Sequence, residues 1–272
     1  MSHREHSEPK IHCEGVEKRY GSARNGQQVA VTGVDLTIGA GEFVCLVGPS
    51  GCGKTTLVQM MAGFERPTAG TLKIDGRPVQ GPDPDHILIF QDYGLFPWRT
   101  VLGNVLFGLE ARGVPLAEAR PRAQETLNLV GLSAAANQHP HELSGGMRQR
   151  VAIARALAVE PSVLFMDEPF AALDAFTRLR LQDELLDLWQ AQRSTVVFIT
   201  HDLDEAITLG QRVVLMAAGP GHIQRVIDIH LPYPRDRTSD DFARLRRELF
   251  AEFHLVHQEA LKGGDLRGGA GI

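Results

Sequence analysis

Residues 43–56 read FVCLVGPSGCGKTT, and the fold class follows from this stretch. Its first five residues are a continuous apolar run, which indicates a strand that is covered on both faces. Residues 48–55 match the pattern G-x-x-x-x-G-K-[ST], and a helical pattern follows over residues 55–62. A buried strand, a glycine-rich loop and a helix in this order predict a loop whose backbone amides surround phosphate oxygens at the positive end of the helix dipole.

The residues of this loop suit a nucleoside triphosphate. We expect Lys54 to reach the β- and γ-phosphates and the Thr55 hydroxyl to ligate Mg²⁺. Cys52 lies beside Lys54 near a helix N-terminus, which predicts a lowered thiol pKa, so that alkylation blocks activity and bound MgATP protects against it. A chance glycine-rich turn is the alternative, and the strand–loop–helix context weighs against it. The candidate nucleotide-binding residues of the loop are Gly48, Pro49, Ser50, Gly51, Cys52, Gly53, Lys54, Thr55 and Thr56.

Further short apolar runs predict the rest of a sheet. Helical patterns separate these runs, which occupy residues 87–90, 163–166, 195–199 and 213–216. Buried strands that alternate with helices predict an α/β fold with a mostly parallel sheet. Strands with alternating polarity over residues 34–38 and 71–75 predict a separate antiparallel accessory sheet.

Two segments depart from this pattern. Residues 100–138 are rich in Ala, Leu, Arg and Gly without a β-type run, which predicts a helical insert over about residues 100–145. We expect residues 236–272 to form a C-terminal amphipathic helix followed by a flexible Gly-rich tail over 262–272. This helix could contact a second copy or regulate the protein, and packing on the sheet is the expectation we favour. Its apolar positions are Phe242, Leu245, Leu249 and Phe253.

Composition limits the class of protein. The chain has 272 residues, of which 43% are hydrophobic and 22% charged, and this excludes a mainly disordered chain. A net charge of −5 gives no basic field for nucleic acid. The chain has no run of about 18 apolar residues for a membrane helix, and its first residues lack a signal-peptide core. Three cysteines without a C-x-x-C pair argue against a disulfide scaffold or zinc site. We expect a reduced cytosolic protein.

Two carboxylates stand where a second apolar run ends. Residues 163–168 read VLFMDE, so Asp167 and Glu168 follow the run directly. A carboxylate at such a place is costly to bury unless a cation or hydrogen bonds compensate. Asp167 suits the ligand shell of Mg²⁺, and Glu168 suits the general base that acts on an attacking water. A strand that simply ends at the surface is the alternative.

Residues 143–150 read LSGGMRQR and resemble the signature motif of the ATP-binding-cassette (ABC) ATPases, whose usual core is LSGGQ. Met147 stands in place of the usual Gln. Ser144, Gly145 and Gly146 open a helical pattern and offer backbone donors to an anion. The resemblance implies that this motif binds the γ-phosphate held by the loop of a second copy. A head-to-tail homodimer would then enclose two ATP molecules.

Four further residues match the family by their order and spacing. Tyr20 resembles the aromatic residue that stacks on adenine, and Gln91 resembles the glutamine that senses Mg²⁺ and the attacking water. Asp174 resembles the D-loop residue that links the two sites, and His201 resembles the switch histidine at the γ-phosphate. Taken singly, Tyr20 would be ordinary packing and His201 an ordinary strand-end residue. Their order within one chain favours the family roles, and the resemblance covers about residues 11–221.

A narrower resemblance concerns residues 94–101, GLFPWRTV, which are similar to a stretch of the nitrate, sulfonate and taurine importer ATPases. Residues 168–174 and 234–238 are similar to the same group. This implies a peripheral ATPase subunit at the cytoplasmic face of the inner membrane, beneath two permease subunits and served indirectly by an extracytoplasmic solute-binding protein. The exposed aromatic residues around Trp98 would form a groove edge for a permease helix. Internal packing of Trp98 is the alternative.

The resemblance implies one ATPase domain over residues 11–235. Nitrate, an alkanesulfonate or taurine are all left open as the solute, because an importer ATPase contacts nucleotide and permease and never the cargo. A soluble non-transport ABC ATPase of DNA repair or translation is the alternative function, although such proteins typically carry two cassettes or a long coiled-coil insertion. A P-loop kinase or GTPase would leave the LSGG string unexplained.

Overall fold

A computed structural model describes residues 9–21, 27–90 and 92–265, with side chains described as far as residue 254. In this part of the chain no helix is long and apolar enough to cross a membrane. Its strands, in chain order, are β1 (Ile11–Tyr20), β2 (Gln28–Ile38), β3 (Phe43–Val47), β4 (Ala69–Ile74), β5 (Arg77–Pro78), β6 (His86–Ile89), β7 (Val163–Asp167), β8 (Thr195–Thr200), β9 (Arg212–Ala217) and β10 (His222–Asp228).

Helices alternate with most of these strands, as the sequence predicts for an α/β fold. Two short 3-10 helices, at Ser133–Ala135 and Pro140–Glu142, lie within the helical segment before α4. The α-helices are α1 (Lys54–Met61), α2 (Val101–Ala111), α3 (Leu116–Leu129), α4 (Gly145–Ala158), α5 (Ala175–Gln192), α6 (Leu203–Leu209) and α7 (Asp240–Asp265).

The chain forms two compact units, of which the first contains residues 1–82 and 197–272. Its described residues include an antiparallel sheet in the order β2-β1-β4-β5, which is the predicted accessory sheet. In a second sheet the order is β10-β9-β3-β8, and residues 197–200 of β8 belong to this unit. β3 runs parallel to β9, and β9 runs antiparallel to β10. All five residues of β3 are buried, as its continuous apolar run predicts.

The second unit contains residues 83–196. Strands β6 and β7 pair in parallel, with Ile89 opposite Met166. The described residues between β6 and α4 form helices without a strand, in the segment for which the sequence predicts a helical insert. Helices α2 and α3 pack against each other and against α4. The fold class predicted from the sequence is therefore confirmed, with parallel strand pairs, helices and a separate antiparallel sheet.

Helix α7 packs on the first unit, against α6 and β9. Phe242 and Leu249 are buried, and the Phe242 backbone N–H donates to Ser239 Oγ at 3.2 Å, so Ser239 caps the start of the helix. Because α7 extends to Asp265, the first four residues of the predicted flexible tail are helical. The rest of that tail, residues 266–272, lies outside the described residues.

Candidate active site

The predicted phosphate loop joins β3 to α1 in the first unit. Its backbone is packed too closely for a side chain at two of its glycines. A Cβ atom on Gly48 would lie 2.5 Å from the Met216 carbonyl oxygen and 2.7 Å from Cys52 Sγ. Gly53 has a φ of +89°, and a Cβ atom there would lie 2.8 Å from the Ala30 carbonyl oxygen. The fold therefore requires glycine at both positions, and at these two positions the loop presents backbone atoms and no side chain.

Lys54 places a positive charge against this loop. Its side chain is 7% exposed, and Nζ donates to the carbonyl oxygens of Gly48 at 2.7 Å and Pro49 at 3.0 Å. Gly53 is the N-cap of helix α1 and offers no side-chain cap, and the first turn of the helix has no acidic residue. Its first amides therefore keep the partial positive charge of a helix N-terminus. An ammonium group beside uncapped amides fits the phosphates of a nucleotide.

The predicted lowering of the Cys52 pKa is wrong. The Cys52 side chain is fully buried, and burial raises the pKa of its thiol. The charge of Lys54, whose Nζ lies 3.7 Å from Sγ, lowers this pKa by less than burial raises it. Because the thiolate is the nucleophile in alkylation, the predicted sensitivity to thiol reagents no longer follows. The position of Cys52 two residues before Lys54 does not reveal that the thiol is buried.

Two further candidates of the first unit lie at the ends of strands. Tyr20 ends β1, and the centre of its half-exposed ring lies 5.0 Å from Lys18 Nζ, a cation–π distance. The following residues 22–26 lie outside the described part of the chain. His201 is exposed and directly follows β8, the neighbour of β3 in the sheet. The phosphate loop and His201 thus follow two adjacent strands.

Asp167 and Glu168 occupy the end of β7 in the second unit. Asp167 is buried, and Glu168 is half-buried with a φ of +48°, a left-handed conformation that is uncommon for a residue with a Cβ atom. Such a backbone costs on the order of 1–3 kcal/mol and persists where its surroundings fix it. Gln149 fixes this turn, because Nε2 donates to the Glu168 carbonyl oxygen and Oε1 accepts from the Ala172 N–H, both at 3.2 Å.

Sequence reasoning did not identify Gln149 as part of this arrangement. Its side chain is 4% exposed on α4, at helical spacing from the buried residues Ala152, Ile153 and Ala156. A long polar residue on the apolar face of a predicted helix was the available signal, because a buried amide needs hydrogen-bond partners. We infer that Gln149 supports the turn that carries Glu168.

The signature segment begins α4 in the same unit. Ser144 is the N-cap of the helix, and its Oγ accepts from the Met147 backbone N–H at 3.3 Å. The substitution of Met for the usual Gln leaves this backbone contact intact. A Cβ atom on Gly146 would lie 3.3 Å from the Ala172 carbonyl oxygen and from Leu173 Cδ2. The start of the signature helix therefore packs against the segment that follows Glu168.

Asp174 ends that segment and is the N-cap of α5. Its Oδ1 accepts from the Thr177 backbone N–H at 3.0 Å, and this hydrogen bond lowers the pKa of the Asp174 carboxyl. A carboxylate at a helix N-terminus is also favoured by the helix dipole. Asp174 is thus ionised and oriented by local structure.

The predicted residues are divided between the two units of the chain. The first unit holds the phosphate loop, Tyr20 and His201, and the second holds Asp167, Glu168, Asp174 and the signature residues Ser144, Gly145 and Gly146. Gln91 lies outside the described residues.

Among the described residues, no group of three or more His, Cys, Asp or Glu side chains could hold a metal ion. Of the other loop residues, Pro49 and Thr56 are half-buried, and the exposed ones are Ser50, Gly51 and Thr55.

Comparison with known proteins identifies the family. Residues 31–171 match the family model described as ABC transporter, which is about half of the chain. The chain belongs to the ABC transporter family. It is an ATPase of that family, as the phosphate loop, the Asp–Glu pair and the LSGG segment predict.

The relatives of this ABC ATPase include import proteins. It is 48% identical over 239 residues to an uncharacterized ABC transporter ATP-binding protein of Methanocaldococcus jannaschii, covering 88% of each chain. It is 45% identical to the nitrate import ATP-binding protein NrtD of Synechococcus elongatus, covering 88% of this chain and 89% of that one. It is 46% identical to the aliphatic sulfonates import ATP-binding protein SsuB of Bacillus subtilis, covering 81% and 85%.

A solved ABC cassette has the same fold. The dimeric structure of MJ0796, a bacterial ABC transporter cassette, matches 82% of this chain and 100% of its own with a TM-score of 0.75 and 34% sequence identity. The same cassette has also been solved in a post-hydrolysis state bound to ADP and Pi. The ABC ATPase fold predicted from the sequence is thus confirmed by an independent structure.

Proposed function

We propose that this ABC ATPase is the ATP-hydrolysing subunit of an importer for small anions of the nitrate or sulfonate type. The observation that carries the proposal is its 45–46% identity to a nitrate and an aliphatic sulfonate import protein over more than four-fifths of each chain. The subunit would act as a homodimer beneath two permease subunits at the cytoplasmic face of the membrane. An extracytoplasmic solute-binding protein would deliver the anion, taurine included among the candidates.

Each chain would contribute residues to nucleotide binding. Lys54 and the backbone amides of the loop would bind the phosphates, and Tyr20 would stack on adenine. Bound Mg²⁺ would neutralise phosphate charge, and Thr55, Asp167 and Gln91 would hold it. The hard oxygen atoms of a hydroxyl, a buried carboxylate and an amide suit this ion, which usually keeps several waters.

Glu168 would act on the water that attacks the γ-phosphate. The carboxylate would take a proton as the water oxygen bonds to phosphorus and the bond to the ADP oxygen breaks, giving ADP and phosphate. Gln149 holds the backbone of that turn through two hydrogen bonds, so the backbone that carries the carboxylate has a fixed position. His201 would contact the γ-phosphate. Ser144, Gly145 and Gly146 would serve the nucleotide bound to the partner chain, and Asp174 would link the two sites.

An apolar patch in the second unit, formed by the neighbouring rings of Phe96, Trp98 and Phe107, supports the proposal of a protein partner. Trp98 is 73% exposed, so the alternative of internal packing is wrong. The loop that carries it is nevertheless fixed, because the fully buried Asn104 donates to the carbonyl oxygens of Phe96, Arg99 and Thr100. The Phe96 ring lies 4.5 Å from that of Phe107. A large exposed aromatic residue on a rigid loop is typical of a binding surface.

Trp98→Asp should separate docking from nucleotide binding. We expect it to weaken association with the permease pair by about 10-fold or more, the effect of losing an aromatic anchor, with ATP binding unchanged. The measurement is pull-down of purified permease subunits in detergent, together with nucleotide titration. Leu116→Asp is the matched control, because Leu116 is a 61% exposed apolar residue of the same unit, at the start of α3. Equal permease binding by wild type and Trp98→Asp would remove this surface from the proposal.

The importer function is tested by reconstitution of the ATPase with its permeases and binding protein in liposomes. ATP hydrolysis that rises with nitrate or a sulfonate, and not with an unrelated cation, would support the proposal. Co-purification of the chain with ribosomes or DNA instead of permeases would favour the alternative of a non-transport ABC ATPase.

A further inference from the structure

His201 lies in a turn between β8 and α6 whose two sides are joined by buried side chains. The Thr200 hydroxyl donates to Glu205 Oε2 at 2.6 Å, and Thr200 and Glu205 are 2% and 7% exposed. The same hydroxyl oxygen accepts from the Asp202 backbone N–H at 3.0 Å. The residues immediately before and after His201 are therefore connected through one hydroxyl group.

The start of α6 is fixed on this turn. Asp202 is the N-cap, and its Oδ1 accepts from the backbone N–H groups of Asp204 at 2.8 Å and Glu205 at 3.2 Å. A capped first turn cannot unwind without losing both hydrogen bonds. Since Glu205 belongs to that turn, its carboxylate is presented to Thr200 by the helix itself.

The other end of α6 is fixed by two side chains that follow β10. Arg235, which is buried, donates to the carbonyl oxygens of Ile207 and of Gly210, the latter at 2.6 Å. The Tyr233 hydroxyl donates to the Leu209 carbonyl oxygen at 2.6 Å. These donors satisfy carbonyl groups that the end of a helix leaves without partners. The helix that carries Glu205 is thus held at both ends.

The hydrogen bond between Thr200 and Glu205 is shielded from water, because both residues are buried. Water therefore does not compete for either partner, and breaking the bond would leave the buried hydroxyl proton without its acceptor. The Thr200 contact is therefore strong enough to define the turn around it.

We propose that Thr200 and Glu205 are positioning residues that hold His201 in the orientation in which it acts on the γ-phosphate, an inference that rests on the proposed role of His201. The imidazole is exposed, so its reach depends on the backbone of the turn. The buried hydroxyl–carboxylate pair sets that backbone, because it joins the end of β8 to the first turn of α6. Displacement of a catalytic group by about 1 Å can cost on the order of 100-fold in rate.

The test is the isosteric change Thr200→Val, which removes the hydroxyl and keeps the shape. We expect the rate of ATP hydrolysis in single turnover to fall about 10-fold, with the Kd for ATP unchanged. Thr200→Ser, which keeps the hydroxyl, should restore most of the rate. Thr208→Val is the matched control. Thr208 is 3% exposed on α6, the helix that carries Glu205, and its hydroxyl has no hydrogen-bond partner in the described part of the chain.

A double-mutant cycle with His201→Ala distinguishes positioning from general support of the fold. If Thr200 acts through His201, Thr200→Val should change the single-turnover rate less than twofold in the His201→Ala background. A second 10-fold loss there would show a purely structural role and overturn the inference. Thr200→Ala, which also lacks the hydroxyl, serves the same cycle if the valine variant does not fold. A normal rate for His201→Ala itself would instead overturn the proposed role of the histidine.

Discussion

Glu168→Gln is expected to abolish steady-state ATP hydrolysis and to leave ATP binding intact. The amide keeps the size of the side chain, and the backbone carbonyl of residue 168 still accepts from Gln149. The amide cannot, however, take a proton from the attacking water. Loss of a general base lowers the rate by about 10²–10⁴-fold. Because ATP then binds without being consumed, the variant should accumulate as an ATP-bound dimer, which size-exclusion chromatography with ATP would detect.

Glu160→Gln is the control for this experiment. Glu160 lies in the same unit with a φ of +47°, close to that of Glu168, and its carboxylate pairs with Arg122 at 2.9 Å. The same Glu-to-Gln change in the same backbone conformation should therefore leave hydrolysis near the wild-type rate. If Glu168→Gln hydrolyses ATP within a few-fold of wild type, Glu168 is not the base.

Lys54→Ala should weaken the binding of ATP itself. A hydrogen bond to a charged group contributes about 1.5–3 kcal/mol, so the Kd for ATP should rise about 10- to 150-fold. Titration with a fluorescent ATP analogue measures this directly. Lys54 also donates to the carbonyl oxygens of Gly48 and Pro49, so thermal unfolding of the variant must be recorded beside its affinity.

Lys73→Ala removes the same charge from β4, in the accessory sheet of the same unit, and should bind ATP like wild type. If the Lys54→Ala variant is fully folded and still binds ATP with unchanged affinity, the assignment of the phosphate loop is contradicted. An equal loss in both lysine variants would point to net charge instead of a specific contact.

The elements of the fold could be predicted because their signals are local. The continuous apolar run of residues 43–47 becomes a fully buried strand, and the helical pattern of residues 145–158 coincides with α4. Periodicity and turn residues depend on neighbours in the chain, which the sequence displays. The LSGG string and the Gly-Lys-Thr loop indicated the family for the same reason, since each is a short continuous motif.

The supporting hydrogen bonds could not be predicted because their partners are far apart in the sequence. Gln149 reaches Glu168 and Ala172, about twenty residues away, and Cys52 is enclosed by the packing of the loop. The positive φ of Glu168 gives no sequence signal either, since a residue with a Cβ atom is expected to avoid this conformation. These features depend on tertiary packing, which only the folded chain supplies.

The central claim is that each ATP is shared between two copies of this chain. Ser144→Arg would put a bulky side chain into the partner's γ-phosphate space and leave its own loop intact, whereas Lys54→Ala has the opposite lesion. Each homodimer should be inactive at an ATP concentration that saturates the wild-type site and lies well below the raised Kd of the Lys54→Ala chain. A mixed dimer contains one site with both lesions and one site with neither.

The decisive measurement is ATP hydrolysis in single turnover by Ser144→Arg and Lys54→Ala chains that are mixed and verified by mass as heterodimers. We expect mixing to restore hydrolysis of about one ATP per heterodimer, because the intact loop of the Ser144→Arg chain meets the intact signature segment of the Lys54→Ala chain. No hydrolysis at any mixing ratio in verified heterodimers that still bind ATP, together with no crosslink from Ser144→Cys to the ATP bound by the partner, would contradict a site shared between two chains; a crosslink without hydrolysis would show that both sites must act together.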